Sequence, residues 1–178
     1  ASVTDNYCEV WAPTQNQGMS MSVAKEITEL DENQIRIHTT LLGGGFGRRS
    51  ETDYVTQAVT LSKSLGKPVQ VTWMREEDIQ HDFYRPASMS RFQIGLGKDG
   101  FPLQWENQLA APSILKRYFP PLGWFGFDPT STEGANELPY TIPDLDFDYS
   151  IVDPGVPVGF WRSVGSSYNA FYTESAID

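Results

Sequence analysis

A glycine-rich run between a predicted strand and a predicted helix is the part of the sequence best suited to hold a ligand. The run reads Gly43-Gly44-Gly45-Phe46-Gly47-Arg48-Arg49-Ser50. Glycines in such a turn let backbone N–H groups approach a ligand closely, and the start of the following helix adds a partial positive charge. Because Arg48 and Arg49 add formal positive charge in an otherwise acidic chain, the pattern favours an anionic ligand. A tight connection between a strand and a helix, without any ligand, explains the same pattern equally well.

Two phosphate-binding fingerprints are absent from this run. A dinucleotide-binding turn needs Gly-x-Gly-x-x-Gly, but counted from Gly43 the sixth position holds Arg48. A Walker phosphate loop needs Gly-Lys followed by Ser or Thr, which does not occur here. A nucleotide-dependent enzyme is therefore kept only as an alternative, and it predicts saturable binding of NAD or ATP.

Other residue types that often carry chemistry lack the spacing that their chemistry needs. His38 and His81 are the only histidines and lie far apart in the chain, which argues against a zinc site. No Gly-x-Ser-x-Gly motif marks a serine nucleophile. Cys8 has no base that the sequence places beside it, and we expect it to be a small buried strand residue. The alternating aspartates of residues 144–148 lack the glycine and glutamate of a calcium loop, so we expect a solvated strand face.

The elements that must position these residues follow from hydrophobic periodicity, since a period of two predicts strands and a period near 3.6 predicts helices. The order strand, glycine-rich turn, helix and strand over residues 36–73 is that of a βαβ unit. We therefore predict an α+β fold with a mixed sheet and packed helices. The predicted elements are a strand at 8–12, a helix at 19–30 with Met19, Val23, Ile27 and Leu30 facing inward, a strand at 35–41, a helix at 54–65 ended by Gly66, a strand at 69–73, a helical turn at 75–78, a hairpin of strands at 90–96 and 101–109, a strand at 145–151 and a helix at 167–178.

Residues 112–143 interrupt this regular pattern with prolines, glycines and a group of aromatic residues. A loop of this length is uncommon inside a compact domain unless it is functional or packs against another part of the protein. We expect the aromatic part, residues 118–127, to be a contact surface, and its stretch from Trp124 to Phe127 to promote self-association where nothing covers it. An alternative hypothesis makes the chain a self-contained, non-catalytic binding or scaffold domain that uses this loop.

Composition excludes several classes of partner. The 178 residues carry 23 acidic and 13 basic side chains, a formal net charge of −10. Sequence-independent nucleic-acid binding needs a basic face, so this balance argues against it. No apolar run approaches the ~20 residues that span a bilayer. One cysteine forms no internal disulfide and fits a bacterial cytoplasm as well as a periplasm, so the compartment stays open.

Four segments in register carry a family resemblance that spans nearly the whole chain. They are CEVWAPTQ at 8–15, GGGFGRR at 43–49, VTWMREEDI at 71–79 and VPVGFWRSVGSS at 156–167. Together they resemble the large, molybdenum-cofactor-binding subunit of the xanthine oxidase family. The branch with the greatest similarity is that of isoquinoline 1-oxidoreductase beta subunits and related aldehyde dehydrogenases.

The resemblance implies a hydroxylase that oxidises an aldehyde or an N-heterocycle with water-derived oxygen at a molybdenum centre held by a molybdopterin dinucleotide. Electrons would leave through an iron–sulfur subunit. The resemblance also implies that the Phe46 backbone N–H points at a molybdenum oxygen ligand, and that the loop containing Arg162 lies against the pterin, where a guanidinium suits an anionic group. The cofactor-binding residues implied by position are Gly44, Gly45, Phe46, Gly47, Arg162, Ser163, Val164 and Gly165.

Departures from the family pattern concern substrate and catalysis. Where xanthine-type members carry a lysine and a substrate-orienting glutamate, this sequence holds Arg49 and Ser50, which argues against purine hydroxylation. Val164 replaces a substrate-stabilising phenylalanine. The family's catalytic glutamate lies beyond this segment, so no residue here is assigned a catalytic role or a direct bond to the metal. One cysteine cannot hold an iron–sulfur cluster.

We therefore expect residues 1–178 to be a single fragment of a molybdopterin-binding domain that is inactive alone. Its predicted parts are strand-helix-strand units with the glycine-rich turn and hairpin at 1–111, the proline and aromatic loop at 112–143, and a strand, second cofactor loop and truncated helix at 144–178. The expected partners are the remainder of the large subunit, the iron–sulfur subunit and the substrate.

Overall fold

The computed structural model describes residues 1–121 and 126–178, which form two compact units, Ala1–Asp82 and Phe83–Asp178. Each unit contains a three-stranded sheet with one antiparallel and one parallel strand pair. The predicted class of mixed sheets with packed helices is therefore confirmed. The stretch 122–125, which holds Trp124 and Phe125 of the predicted contact surface, lies outside the described residues.

The sheet of the first unit is built around a βαβ connection. Its central strand β2 pairs antiparallel with β1 and parallel with β3, and helix α1 connects the parallel pair. The elements of this unit are β1 (Ser2–Thr4), β2 (Tyr7–Ala12), α1 (Gln17–Thr28), β3 (Ile35–Thr39), α2 (Asp53–Leu65) and α3 (Arg75–Gln80). Gly66 ends α2 in the left-handed conformation, φ 61°, as predicted.

The predicted βαβ unit over residues 36–73 is wrong in its last strand. Residues 69–73 form no strand, although Val69 exchanges two backbone hydrogen bonds with Ala1, at 2.9 and 2.8 Å. The next bonded pair of such a ladder would join Val3 and Lys67, but the Ser62 hydroxyl lies between them, accepting from the Val3 N–H at 3.0 Å and donating to the Lys67 carbonyl at 2.8 Å. The βαβ unit lies one element earlier, as β2, α1 and β3.

The predicted inward face of helix α1 is confirmed for Ile27 and Leu30, which pack in or against the core, and is wrong for Met19, which is 37% exposed. The most buried residues of the helix are the small ones, Ser20, Ala24 and Thr28. Small side chains let a helix lie close to its neighbours, and the Thr28 hydroxyl is satisfied by donating to the Ala24 carbonyl at 2.6 Å. The core of this unit contains Val3, Cys8, Val10, Ala12, Ala24, Leu30, Ile35, Val55 and Val59.

The second unit contains the predicted hairpin and a parallel crossover. Its elements are β4 (Met89–Leu96), β5 (Pro102–Ala111), α4 (Pro129–Thr132), β6 (Asp144–Ile151) and α5 (Ser166–Ile177). Strand β5 pairs antiparallel with β4 and parallel with β6. The aspartates of β6 are exposed, as predicted, and α5 packs Tyr168 against Leu109 and Ala111 of β5.

None of the helices in the described ranges is long and apolar enough to cross a lipid bilayer.

Candidate functional site

The glycine-rich loop after β3 presents unpaired backbone donors. Phe46 has φ 52° and Gly47 has φ 87°, and a 3-10 turn over Arg48–Ser50 leads from the loop towards α2. In residues 1–121 and 126–178, no acceptor is bonded to the N–H groups of Gly44, Gly45 and Phe46. Successive free N–H groups in a turn form a concavity that attracts anions. The geometry therefore suits the ligand chemistry predicted from the glycines.

Gln15, on the connection between β2 and α1, holds this loop in place. Its side-chain oxygen Oε1 accepts from the Gly47 N–H at 3.0 Å, and its backbone N–H donates to the Arg49 carbonyl at 2.8 Å. A Cβ atom on Gly45 would lie 2.2 Å from the Gln15 side chain, so only glycine fits there without a shift. The sequence contained this residue in the 8–15 segment but gave no reason to connect it with a loop some thirty residues later.

Removing the Gln15 amide should loosen the loop. Gln15→Met keeps the length of the side chain but leaves the Gly47 N–H without an acceptor, and we expect it to cost about 1 kcal/mol of local stability. Hydrogen exchange at Gly47 should accelerate roughly fivefold, which is the rate change for about 1 kcal/mol. The matched control is Gln17→Met, whose amide donates to Thr39 at 3.0 Å away from the loop. Equal exchange at Gly47 in the wild type and Gln15→Met would contradict this role.

The sequence analysis counted the charge of Arg48 as favouring an anionic ligand, but in the structure Arg48 is not available to a ligand. Its side chain is buried and donates to both carboxylate oxygens of Asp53, at 3.0 and 2.8 Å, and to Asp82. Burial alone would lower the pKa of Arg48, but the bonds to Asp53 and Asp82 outweigh it and raise the pKa above its usual range. Arg48 therefore fastens the end of the loop to α2.

The second predicted loop, residues 162–165, precedes α5 in a strained backbone conformation. Ser163 has φ 66° and Val164 has φ 41°. A positive φ is a rare conformation for a β-branched residue and costs on the order of 1–3 kcal/mol. The loop is held by the Gly165 N–H, which donates to the Thr130 carbonyl at 3.1 Å, and by the Val164 N–H, which donates to the Trp161 carbonyl at 2.8 Å.

Residues 83–85 anchor the chain that leads into this second loop. The Trp161 indole N–H donates to the Phe83 carbonyl at 2.7 Å, and Arg85 Nη2 donates to the Arg162 carbonyl at 3.1 Å. The Arg162 backbone is thereby fixed while its side chain is exposed. Over the described part of the chain, its guanidinium makes no ion pair. Neither Phe83 nor Arg85 stands out in the sequence.

A buried carboxylate organises the turn beneath the second loop. Asp128 is fully buried and accepts from the Ser113 hydroxyl at 2.6 Å, the Leu115 N–H at 2.9 Å, and the Thr130 N–H and hydroxyl at 2.8 and 2.6 Å. Burial raises the pKa of a carboxyl group, but these hydrogen bonds outweigh it and lower the pKa of Asp128. The turn that Asp128 holds contains the Thr130 carbonyl to which Gly165 donates.

The predicted residues thus form two loops, Gly44 to Gly47 in the first unit and Arg162 to Gly165 in the second. Across residues 1–121 and 126–178, no three His, Cys, Asp or Glu side chains group as they would to hold a metal ion. His38 has a structural environment, since its ring stacks on Trp11 with centroids 5.2 Å apart and its Nε2 lies 2.8 Å from Glu9. Cys8 is buried in the core, as predicted.

Comparison with known proteins identifies the class to which this fold and these loops belong. The model of the molybdopterin cofactor-binding domain family matches residues 1–178, so the chain belongs to this family. The resemblance seen in the four sequence segments is confirmed, and with it the prediction of a molybdopterin cofactor.

Three curated relatives show how this chain compares with longer proteins. It is 30% identical to the beta subunit of isoquinoline 1-oxidoreductase from Brevundimonas diminuta, over 98% of the chain and 22% of the relative. It is 26% identical to a nicotinate dehydrogenase subunit from Pseudomonas putida, over 100% of the chain and 15% of the relative. It is 35% identical to a membrane-bound aldehyde dehydrogenase (pyrroloquinoline-quinone) from Gluconacetobacter polyoxogenes, over 60% of the chain and 14% of the relative. The chain therefore spans less than a quarter of the length of each of these relatives.

Proposed function

We propose that the chain supplies two cofactor-contacting loops to a molybdenum-dependent hydroxylase that oxidises aldehydes or N-heterocycles. The observation that carries this proposal is that the N–H groups of Gly44, Gly45 and Phe46 bond to no acceptor in residues 1–121 and 126–178, in a chain that belongs to the molybdopterin cofactor-binding family. The proposed partners are the remainder of the large subunit and an iron–sulfur subunit. Two of the relatives are named as subunits, which supports an assembly.

The residues present fit an anionic cofactor in two respects. The first loop offers backbone donors, and Gln15 keeps that loop in one conformation. The second offers the exposed guanidinium of Arg162, whose backbone is fixed by Arg85 and by the hydroxyl of Ser167, at 3.1 Å each. When bound, the cofactor supplies the redox-active molybdenum at which the substrate is oxidised.

The residues of this chain would bind and orient the cofactor. Phe46 would donate its N–H to an oxygen ligand of the metal, and Arg162 would pair with an anionic part of the pterin, an interaction that guanidinium geometry favours. Phe46 and Val164 hold left-handed backbones, which bulky and β-branched residues adopt only where the surrounding structure imposes them, and such backbones occur often at ligand-binding sites. No residue of this chain is proposed as the catalytic base.

Substrate choice is proposed from the residues beside the loops. Arg49 and Ser50 follow the glycine motif where purine hydroxylases carry lysine and glutamate, and the small Val164 stands in the second loop. These differences favour aldehydes or N-heterocycles other than purines. The family assignment also favours this function over the scaffold domain with the aromatic loop 118–127, and over a nucleotide-dependent enzyme.

The test is cofactor retention in the full-length subunit. Arg162→Ala should lower the affinity for the cofactor about tenfold or more, because a charge-assisted hydrogen bond is lost. Molybdenum per subunit after dialysis, measured by mass spectrometry, reports this loss. Arg91→Ala is the matched control, since Arg91 is an exposed arginine of the same unit. Equal molybdenum content in the wild type and Arg162→Ala would contradict the role of the second loop.

A further inference from the structure

We propose that Arg49 forms a separate anion-binding position, in a cavity of the first unit that accepts a phosphate or carboxylate group. The cavity has a volume of about 260 Å³. Its walls come from the connection after β2, the end of the glycine-rich loop, α2 and residues 71–78. The residues that line it are Pro13, Arg48, Arg49, Tyr54, Val71, Thr72, Trp73 and Asp78. None of them is among the eight predicted cofactor residues.

The structure holds the Arg49 backbone in place at this cavity and sets its guanidinium over an aromatic ring. Its carbonyl accepts three hydrogen bonds, from the Gln15 N–H at 2.8 Å, the Thr14 hydroxyl at 3.2 Å and the Tyr54 hydroxyl at 3.2 Å. Its guanidinium carbon lies 5.5 Å from the centre of the Tyr54 ring. A cation held over an aromatic face in this way has lost part of its rotational freedom before it meets an anion.

The charge of Arg49 is not neutralised within the described ranges. Arg48, its neighbour in the chain, is neutralised by Asp53 and Asp82, whereas Arg49 makes no ion pair in residues 1–121 and 126–178. Within residues 1–121 and 126–178, Arg49 combines a charge without an ion pair with a position over the Tyr54 ring at the wall of a cavity, and this combination favours an anion from outside the chain. Arginine suits oxyanions because its planar fork donates two parallel hydrogen bonds to them.

The other walls restrict the ligand. The Trp73 indole N–H donates to Gln57 at 2.7 Å, and the cavity has two aromatic walls, Tyr54 and Trp73. Asp78 also lines the cavity and would repel a second anionic group. We therefore infer a ligand with a flat or apolar body and a single phosphate or carboxylate. A phosphate of the bound cofactor and a small free acid share this chemistry, so the inference deepens the proposed function without depending on it.

Binding of phenyl phosphate and benzoate to the full-length subunit tests this proposal. The titrations are carried out by calorimetry on cofactor-depleted and cofactor-loaded protein. Arg49→Ala should weaken binding of a probe about tenfold or more, and Arg49→Lys should retain part of the affinity because the charge stays while the two-point fork is lost. Asp78→Asn should tighten binding, since it removes a like charge from the cavity wall. Arg36→Ala, an exposed arginine of β3 that does not line the cavity, is the control and should leave the affinity unchanged.

Comparison of cofactor-depleted and cofactor-loaded protein distinguishes the two possible sources of the anion, a cofactor phosphate and a free acid. A probe that binds only the depleted protein identifies a cofactor phosphate as the natural occupant, and a probe that binds both states identifies a free acid. Either result supports the site. Affinity for both probes that is equal in the wild type and Arg49→Ala, or lowered as much by Arg36→Ala, would overturn it. A different measurement tests the proposed function: if that function is wrong, Arg162→Ala retains the same molybdenum content as the wild type.

Discussion

Gly165→Ala is expected to destabilise the second unit by about 3 kcal/mol, because overpacking against backbone cannot be relieved by a rotamer change. An added Cβ would lie 2.4 Å from the Thr130 carbonyl oxygen and 3.0 Å from the Ser131 carbonyl carbon. To make room, Gly165 would have to move away from the turn over Pro129–Thr132. That movement would break the hydrogen bond from the Gly165 N–H to Thr130. It would also displace the Arg162 loop.

Urea unfolding measured on wild type and Gly165→Ala checks this expectation. Gly43→Ala is the control for the general effect of adding a methyl group, since nothing lies within 4 Å of a Cβ atom there. The midpoint of Gly43→Ala should stay near that of the wild type. An unchanged midpoint for Gly165→Ala would show that the close approach to Thr130 does not constrain the loop.

Loss of the Asp128 carboxylate is expected to destabilise the second unit about as much as Gly165→Ala does. Asp128→Ala leaves the donors of Ser113, Leu115 and Thr130 without their acceptor in a buried turn, and unsatisfied buried donors cost about 1–3 kcal/mol each. We expect a total of about 3 kcal/mol or more, and a smaller loss for Asp128→Asn, which keeps one acceptor oxygen. Asp146→Ala on the exposed face of β6 is the control. Urea midpoints that do not fall in the order wild type, Asn, Ala would contradict the role of the carboxylate.

Asp128 should also make the stability of the folded protein depend on pH. The folded pKa of Asp128 is lowered from the unfolded value of 3.8, so the folded state favours the charged carboxylate. The stability from this group is present above the unfolded pKa and is lost as the pH falls through the folded pKa. Acidification below about pH 4 should therefore lower the urea midpoint of the wild type more than that of Asp128→Asn. Parallel pH profiles for the two proteins would exclude this contribution.

Hydrophobic periodicity predicted which segments form strands and helices better than it predicted which side of each element is buried. The alternation of apolar residues located β2, β3, the hairpin of β4 and β5, and β6, because a half-buried strand leaves that pattern in the sequence. It placed Ile27 and Leu30 correctly but missed the small buried residues Ser20, Ala24 and Thr28, which close packing favours over a larger residue such as Met19. Residues 69–73 alternate like a strand, but whether a strand forms depends on the pairing of their backbone groups.

Only those parts of the candidate site that belong to a local sequence motif could be predicted from the sequence. The glycines at 43–47 indicated free N–H groups for a local reason, the backbone freedom of glycine. The interpretation of Arg48 failed because its partner Asp82 lies 34 residues further along the chain. Gln15, Arg85 and Asp128 support the loops through tertiary hydrogen bonds, which no local spacing encodes.

We propose that the loops at 44–47 and 162–165 contact a molybdopterin cofactor, and an anomalous difference map at the molybdenum absorption edge, from crystals of the full-length loaded subunit, tests this proposal. We expect a molybdenum peak beside the first loop, with a ligand oxygen within hydrogen-bonding distance of the Phe46 N–H, about 2.9 Å, and the pterin against Arg162. A molybdenum peak remote from Phe46, with neither loop in contact with the cofactor, would contradict it.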